Sequence, residues 1–429
     1  MGQMNLADRQ ASRPGPASPV SRPLTVAGAV IWLALFVFGL HGLYDRLAFG
    51  SLQTAMGSYI PWGLWVSSYI WFIGLSAGSF LLSTLVYVFK LKQLEKVAPQ
   101  ALVVALITLI MALLSIWFDL GHMGRFYRVY LHPNFHSAMA WMVWLYTAYF
   151  VLLIFETYFA LRASLVRGRS LPGLAGGIAR LLTGGRKQPL TDEEVRRDRK
   201  KVTTLATLGI PLAIAFHGGV GALFATVVAR DVWHTAIYPI IFLVGAFLSG
   251  GALFTGLIAF FWPQRDDYWR ATVRLLGRVT LGLLLLEALL TWAELSIPMW
   301  YGVGPEVEEL KVMLFGPYGW VFWVVQLGLC TLLPLILLIA GGKSPRATGW
   351  AGILVAVAFL STRLNLVLPG LVAPELAGLQ FSYHDGRLIY NYLPSWPEWQ
   401  LLVFVISVGI ALYVFAVKML PTLTGRDAA

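Results

Sequence analysis

Apolar residues in this chain neither alternate with polar ones nor mark a single helical face. They come in long unbroken runs of about 20 residues, the length at which a helix spans a hydrocarbon core of roughly 30 Å. Ten such runs can be read, over 26–44, 62–89, 101–120, 138–161, 202–228, 235–262, 272–297, 315–340, 347–368 and 399–417. Membrane barrel strands would be shorter and would alternate in period two, which these do not. The pattern predicts an all-α polytopic membrane protein of about ten transmembrane helices.

Composition supports this: 58% of the 429 residues are hydrophobic and 12% are charged, against about 25% charged in a soluble domain. The net charge of +11 would suit nucleic acid if it were clustered on one face, but the basic residues follow the alternation of loops. With the amino terminus inside, inner segments hold Arg9, Arg13 and Arg22, then Lys90, Lys92 and Lys96, then the stretch from Arg162 to Lys201. Later inner segments hold Arg265, Arg270 and Arg274, then Lys343 and Arg346, then Lys418 and Arg426. Outer segments keep Arg46, Arg125, Arg128, Arg230, Lys311, Arg363 and Arg387. Basic loops stay on the cytoplasmic side, so both termini are expected in the cytoplasm, with membrane lipid and not nucleic acid as the surrounding partner. The expected location is the cell (inner) membrane. Residues 1–24 are polar and Pro-rich and read as a disordered cytoplasmic tail. Cys330 is the single cysteine, which excludes a disulfide framework and a cysteine-bound iron–sulfur cluster within the chain. Redox centres, if needed, belong to partners.

Self-similarity divides the chain. "LHG" around His41 resembles "FHG" around His217, "SAGSFL" from Ser76 resembles "SGGALF" from Ser249, and "WFD" at Trp117 resembles "WAE" at Trp292. The offsets are 176, 173 and 175 residues. Their order and spacing suggest two parallel four-helix repeats, 25–161 and 202–340, a basic cytoplasmic linker at 162–201, and two further helices with a tail at 341–429. Chance matching in apolar sequence is the alternative. The linker reads as a solvated segment facing anionic lipid, and Thr191 with the acids after it can cap a helix there. The small residues of the second and sixth runs allow close helix approach.

Ionised carboxylates are costly in hydrocarbon, so the few acids in these runs are the candidate chemistry. Asp119 and Glu294 stand at the outer ends of matching runs, where interfacial placement alone would explain either. Each repeat also carries a histidine at similar depth, His41 and His217. A carboxylate beside an imidazole can accept the two protons of a bound hydroxyaromatic compound. Glu287 lies one heptad before Glu294, so both share a face and could pass protons inward with Glu156; the plain alternative is that each is protonated and hydrogen-bonded to a neighbouring helix. The loop after Asp119 contains His122, Arg125, Tyr127, Arg128, His132 and His136. It reads as a pocket rim or docking surface, and no metal site is expected.

"IPWGLWVSSYIWFIGLSAGSFLL" at 60–82, "DLGHMGRF" at 119–126 and "YLPSWPEW" at 392–399 together resemble the NrfD/polysulphide reductase membrane-subunit family. The likeness is to its longer, ten-helix branch of sulphite-reduction-associated, Hmc-type and alternative complex III assemblies. The resemblance implies a subunit without prosthetic groups that binds a quinone, menaquinone or ubiquinone, near the outer face. It also implies electron exchange with a ferredoxin-like iron–sulfur subunit, which serves a molybdopterin catalytic subunit or a multihaem cytochrome. By that resemblance His41 and Asp119 hold the quinone, with His122, Arg125 and Tyr127 at the pocket or docking face. His122 stands where the family more often has arginine, a place that Arg125 can fill. Proton translocation would run through Glu294, Glu287, Glu156 and His217. The acid Glu398 suits the positive end of the last helix, where a structural role is sufficient. Two other functions fit the same residues: a b-type cytochrome with His41 and His217 as haem ligands, and a proton-coupled secondary transporter, which would favour helices broken near Pro211 and Pro239.

Overall fold

A computed structural model describes residues 22–376, 378–383, 385–386, 388–420 and 423. Most of the amino-terminal tail (1–21) and Arg9, Arg13, Arg387 and Arg426 lie outside the described residues. Among the described residues the chain is helical, without strands. The long helices are α1 (Arg22–Phe49), α2 (Leu64–Tyr87), α3 (Ala98–Asp119), α4 (Ala138–Gly168) and α5 (Asp192–Ala225). They continue with α6 (Tyr238–Phe261), α7 (Asp267–Tyr301), α8 (Val321–Ala340), α9 (Pro345–Val367) and α10 (Trp396–Met419). By length and composition, nine helices among the described residues can cross a membrane. The tenth long helix, α7, has 35 residues and carries Glu287 and Glu294 along an otherwise apolar middle.

Local chemistry sets the ends. α5 starts earlier than the apolar run alone suggests, because Thr191 and Glu194 form a reciprocal capping box: Thr191 Oγ1 accepts from Glu194 N at 3.3 Å and Glu194 Oε2 accepts from Thr191 N at 2.8 Å. The acids of the first turn then face the positive end of the helix dipole, and the charged segment runs straight into the membrane helix. α5 passes through Pro211 unbroken, and Pro239 sits in the first turn of α6, where a missing N–H costs nothing. α10 starts on a second capping box, Ser395 with Glu398, as the sequence suggests for that acid. α7 stops at Gly302, whose φ of 68° is left-handed.

α2 is the central helix, with 83% of its membrane window buried, against 11% for α1 at the rim. It crosses α6 at the two glycine-rich stretches, from Ser76 and from Ser249, whose sequences resemble each other. There Gly78 lies against Gly250, so close that a Cβ on Gly78 would fall 2.4 Å from the Ala246 carbonyl oxygen. Small side chains permit this contact where lipid supplies no hydrophobic drive.

Helix grouping is shifted by one from the expected repeat boundaries. α3, α4 and α5 gather with α2, and α7, α8 and α9 gather with α6, while α1 packs along α10. The reason is visible in α1: its exposed face is apolar along most of its length and Gly39 and Gly42 abut the backbone of α10 at Phe404 and Leu401. Arg363 also departs from expectation. It lies within α9 and is 1% exposed, not in a loop.

Candidate functional site

α3 ends at Asp119 because Leu120 turns to extended backbone, with φ −60° and ψ 125°. An acid at this position faces the negative end of its own helix dipole, an unfavourable arrangement unless a cation intervenes. Arg46, from the end of α1, provides one. It is 4% exposed and donates through Nε to the Phe118 carbonyl at 2.6 Å and through Nη2 to the Leu120 carbonyl at 2.5 Å. Its guanidinium also lies 5.6 Å from the centre of the Trp65 ring.

Asp119 opens onto a cavity of about 850 Å³ between α2, α3, α4 and α5. The walls are mostly aromatic and aliphatic, with Trp62 and Tyr69 from α2 and its approach, Trp117 from α3, Met142 and Tyr146 from α4, and Phe224 from α5. The polar groups gather at the Asp119 end, where His122 and Arg125 join the lining. Asp119 Oδ1 is buried and accepts no hydrogen bond among the described residues. A large apolar cavity with few convergent polar groups at one end is the usual form of a small-molecule site. A buried carboxylate oxygen with free acceptor capacity can take a hydrogen bond, and then a proton, from a hydroxyl placed there.

The sequence pairing of His41 with Asp119 is not brought together. The His41 side chain is 65% exposed and lies 3.4 Å from Asp45 Oδ2 and 3.1 Å from Gln400 Oε1, on the α1–α10 flank. It is not among the residues lining the cavity. The cause is the pairing of α1 with α10, which turns that face of α1 away from the first four-helix group. Tyr127 does not line the cavity either; its neighbours Phe126 and Tyr130 do, while Tyr127 is exposed.

The other predicted residues fall in three places. His217 is buried between α5 and α2, with Nε2 3.0 Å from the Ile73 carbonyl oxygen. His41 and His217 thus belong to different helix pairs. Glu156 is fully buried in α4, which packs chiefly on α5 and α3. Glu287 and Glu294 sit in α7, which packs on α6 and α9, so Glu156 does not extend their file. Glu294 lies close to Tyr238 of α6. Glu287 and the Nη2 of Arg363 both flank Gly245, where an added Cβ would lie 3.2 Å and 2.7 Å from them. The Arg363 guanidinium lies between the rings of Phe242 and Phe359, at 4.6 Å and 4.9 Å. Sequence reasoning missed Arg46 and Arg363. An arginine inside an apolar run is the signal that identifies Arg363; nothing local marks Arg46, whose partners are 72 and 74 residues away.

Residues 52–375 match the family described as Polysulphide reductase, NrfD. The chain is 36% identical over 392 residues to a subunit of the selenate reductase of Mesobacillus selenatarsenatis, covering 90% of this chain and 91% of that protein. It is 27% identical over 414 residues to the Hdr-like menaquinol oxidoreductase integral membrane subunit of Archaeoglobus fulgidus, covering 94% and 92%. It is 23% identical over 411 residues to the menaquinone reductase integral membrane subunit of Nitratidesulfovibrio vulgaris, covering 91% of each. The matched segment contains both the α2–α6 crossing and the Asp119 cavity, and with these likenesses along nearly the whole chain, the protein belongs to the NrfD/polysulphide reductase family.

Proposed function

We propose that this chain is the quinone-interacting membrane subunit of a respiratory oxidoreductase complex, and that its quinol binds in the cavity at Asp119. The observation that carries this reading is the free, buried Oδ1 of Asp119 at the polar end of an 850 Å³ aromatic cavity. A hydroxyaromatic head fits there with one OH donating to Asp119, and His122 and Arg125 offer further polar contacts at the same end of the cavity. Oxidation of a quinol releases two protons and two electrons; Asp119 takes the first proton, Arg46 stabilises the carboxylate before transfer, and the second proton leaves to water at the exposed His122 end of the cavity. Two relatives bear names that contain menaquinol or menaquinone, which favours a naphthoquinol over a benzoquinol.

The electrons leave, in this reading, to an extrinsic iron–sulfur subunit seated on the loop after α3, where Phe126, Leu131 and Phe135 are exposed beside Arg125 and Arg128. That subunit would serve the catalytic part of a reductase, as the name of the selenate reductase relative suggests. We place the Asp119 face outward and the basic linker in the cytoplasm, across the cell membrane. Glu294, Glu287 and His217 remain the residues proposed for a proton path.

The test is quinol oxidation by the purified complex with a short-chain naphthoquinol. Asp119→Asn should remove turnover and leave the subunits associated. Full activity in that variant would place the quinol elsewhere.

A further inference from the structure

The second helix group has a cavity of its own. It lies between α6, α7, α8 and α9 and measures about 390 Å³, as the Asp119 cavity lies between α2, α3, α4 and α5. Trp292, the repeat partner of Trp117, lines it. The polar ends are different: here they are Glu287 from α7 and Gln326 from α8. Glu287 is 6% exposed, and among the described residues neither of its carboxylate oxygens accepts a hydrogen bond. Gln326 is held by Asn365, whose Nδ2 donates to Gln326 Oε1 at 2.7 Å, which leaves the Gln326 amide N–H groups available.

The wall that α8 contributes is unusual. Residues Val321–Leu332 form a π-helix, a rare geometry that is frequent at functional sites. Thr331 Oγ1 donates to the Gln326 carbonyl at 3.0 Å, five residues back, and Pro334 removes a donor just beyond. Phe322, Trp323, Gln326, Cys330 and Thr331 from this segment all line the cavity.

We propose that this cavity is a second binding site, for a bilayer-soluble aromatic compound of the quinone class, with Glu287 and Gln326 as its polar contacts. It goes beyond the reading of the Asp119 cavity and does not require it. Access is lateral, since Trp292, Phe315 and Trp323 are exposed on apolar surface at its mouth. Depth separates a quinone from a phospholipid. Glu287 is about 21 Å along α7 from Tyr301, near mid-membrane, too deep for a phosphodiester to follow. A neutral aromatic carbonyl or hydroxyl head does not meet this obstacle. The size is within the ordinary range of ligand pockets, roughly 300–1,000 Å³.

The experiment is photolabelling of the full chain in phosphatidylcholine nanodiscs with a short-chain azidonaphthoquinone, followed by peptide mapping. Label is expected in two groups of peptides, within 110–150 and within 284–331. Glu287→Gln and Gln326→Leu should each lower the second by about tenfold, as expected for one lost hydrogen bond to a charged or buried group, and leave the first unchanged. Ala288→Phe, which fills the cavity without touching a polar group, should do the same. Asp119→Asn should lower the first alone. Absence of label in 284–331, label there that none of the three variants reduces, or its displacement by added phosphatidylcholine in detergent would overturn the proposal, the last by identifying a lipid groove. Label in 284–331 with none in 110–150 would support it and sink the quinol site at Asp119.

Discussion

The Arg46 guanidinium brackets Asp119, donating to the carbonyl oxygens of the residues on either side of it, Phe118 at 2.6 Å and Leu120 at 2.5 Å. One side chain thereby caps the end of α3, supplies the cation that an acid at a helix C-terminus needs, and ties the rim helix α1 to the cavity. Arg46→Ala should therefore lower both stability and quinol turnover, with a loss of stability of about 1.5–3 kcal/mol for a charge-assisted bond. Arg46→Lys should rescue little, because an ammonium cannot present the planar fork that reaches two carbonyls. Denaturant midpoints together with quinol oxidation rates measure both; a Lys variant equal to wild type would show that only the charge matters.

Asp119 and His41 separate the two versions of the site. If the proton passes to Asp119 alone from within the cavity, Asp119→Asn should cost about 100-fold or more in turnover, in the range of general base catalysis. His41→Ala should stay near wild type, because the imidazole is exposed on the α1–α10 flank beside Asp45 and Gln400 and does not line the cavity. Equal losses in the two variants would return His41 to the site.

The ten apolar runs, the small residues of α2 and α6 and the place of Asp119 at the end of a run are legible in the sequence, because each depends on local composition. Helix neighbours are not. His41 and Asp119 stand at similar depth on nearby helices, and periodicity has no means of telling that α1 pairs with α10, nearly 360 residues away along the chain as the His41 to Gln400 contact records. The same holds for Glu156, whose helix lies in the other group from α7. Arg46 is hidden for a related reason: at the outer end of a run an arginine looks like an interfacial anchor, and its carbonyl partners are defined only after α1 and α3 have met.

Glu309, in the short helix Pro305–Phe315 between α7 and α8, gives a pH dependence outside the membrane. Burial raises its pKa from 4.5 to about 7, partly opposed by the Val232 N–H, which donates to it at 3.1 Å, and by Arg230, while Asp231 and Glu306 add to the rise. The folded protein then holds a proton that the unfolded chain has released. Its contribution to stability is fully present below about 4.5, declines as pH rises toward 7, and is flat above that. Glu309→Gln should remove most of this slope, leaving the smaller part due to Glu306, whose pKa is also raised by burial. Unfolding midpoints at several pH values between 5 and 8 test it; parallel profiles for wild type and variant would exclude Glu309 as the source.

The α2–α6 crossing makes the sharpest packing prediction, because two glycines in one stretch of α6 have opposite surroundings. A Cβ at Gly250 would meet Gly78 Cα at 2.6 Å and the Leu75 carbonyl oxygen at 2.6 Å, whereas one at Gly251 meets nothing within 4 Å. Backbone atoms cannot give way as a flexible side chain can, so Gly250→Ala must push the helices apart, at a cost of about 1–3 kcal/mol. Gly251→Ala should be neutral or slightly stabilising, since alanine is the better helix former by roughly 1 kcal/mol. The crossing also couples the two helix groups. α2 carries Tyr69 into the Asp119 cavity and α6 carries Leu248 into the cavity beside Glu287, so separation of α2 from α6 moves a wall of each. Gly250→Ala is therefore expected to weaken ligand binding at both cavities together, and Gly251→Ala at neither. Yield, thermal midpoint and photolabelling of the two variants measure this, and a Gly250→Ala protein that assembles and labels like wild type would mean that the helices do not meet at this contact.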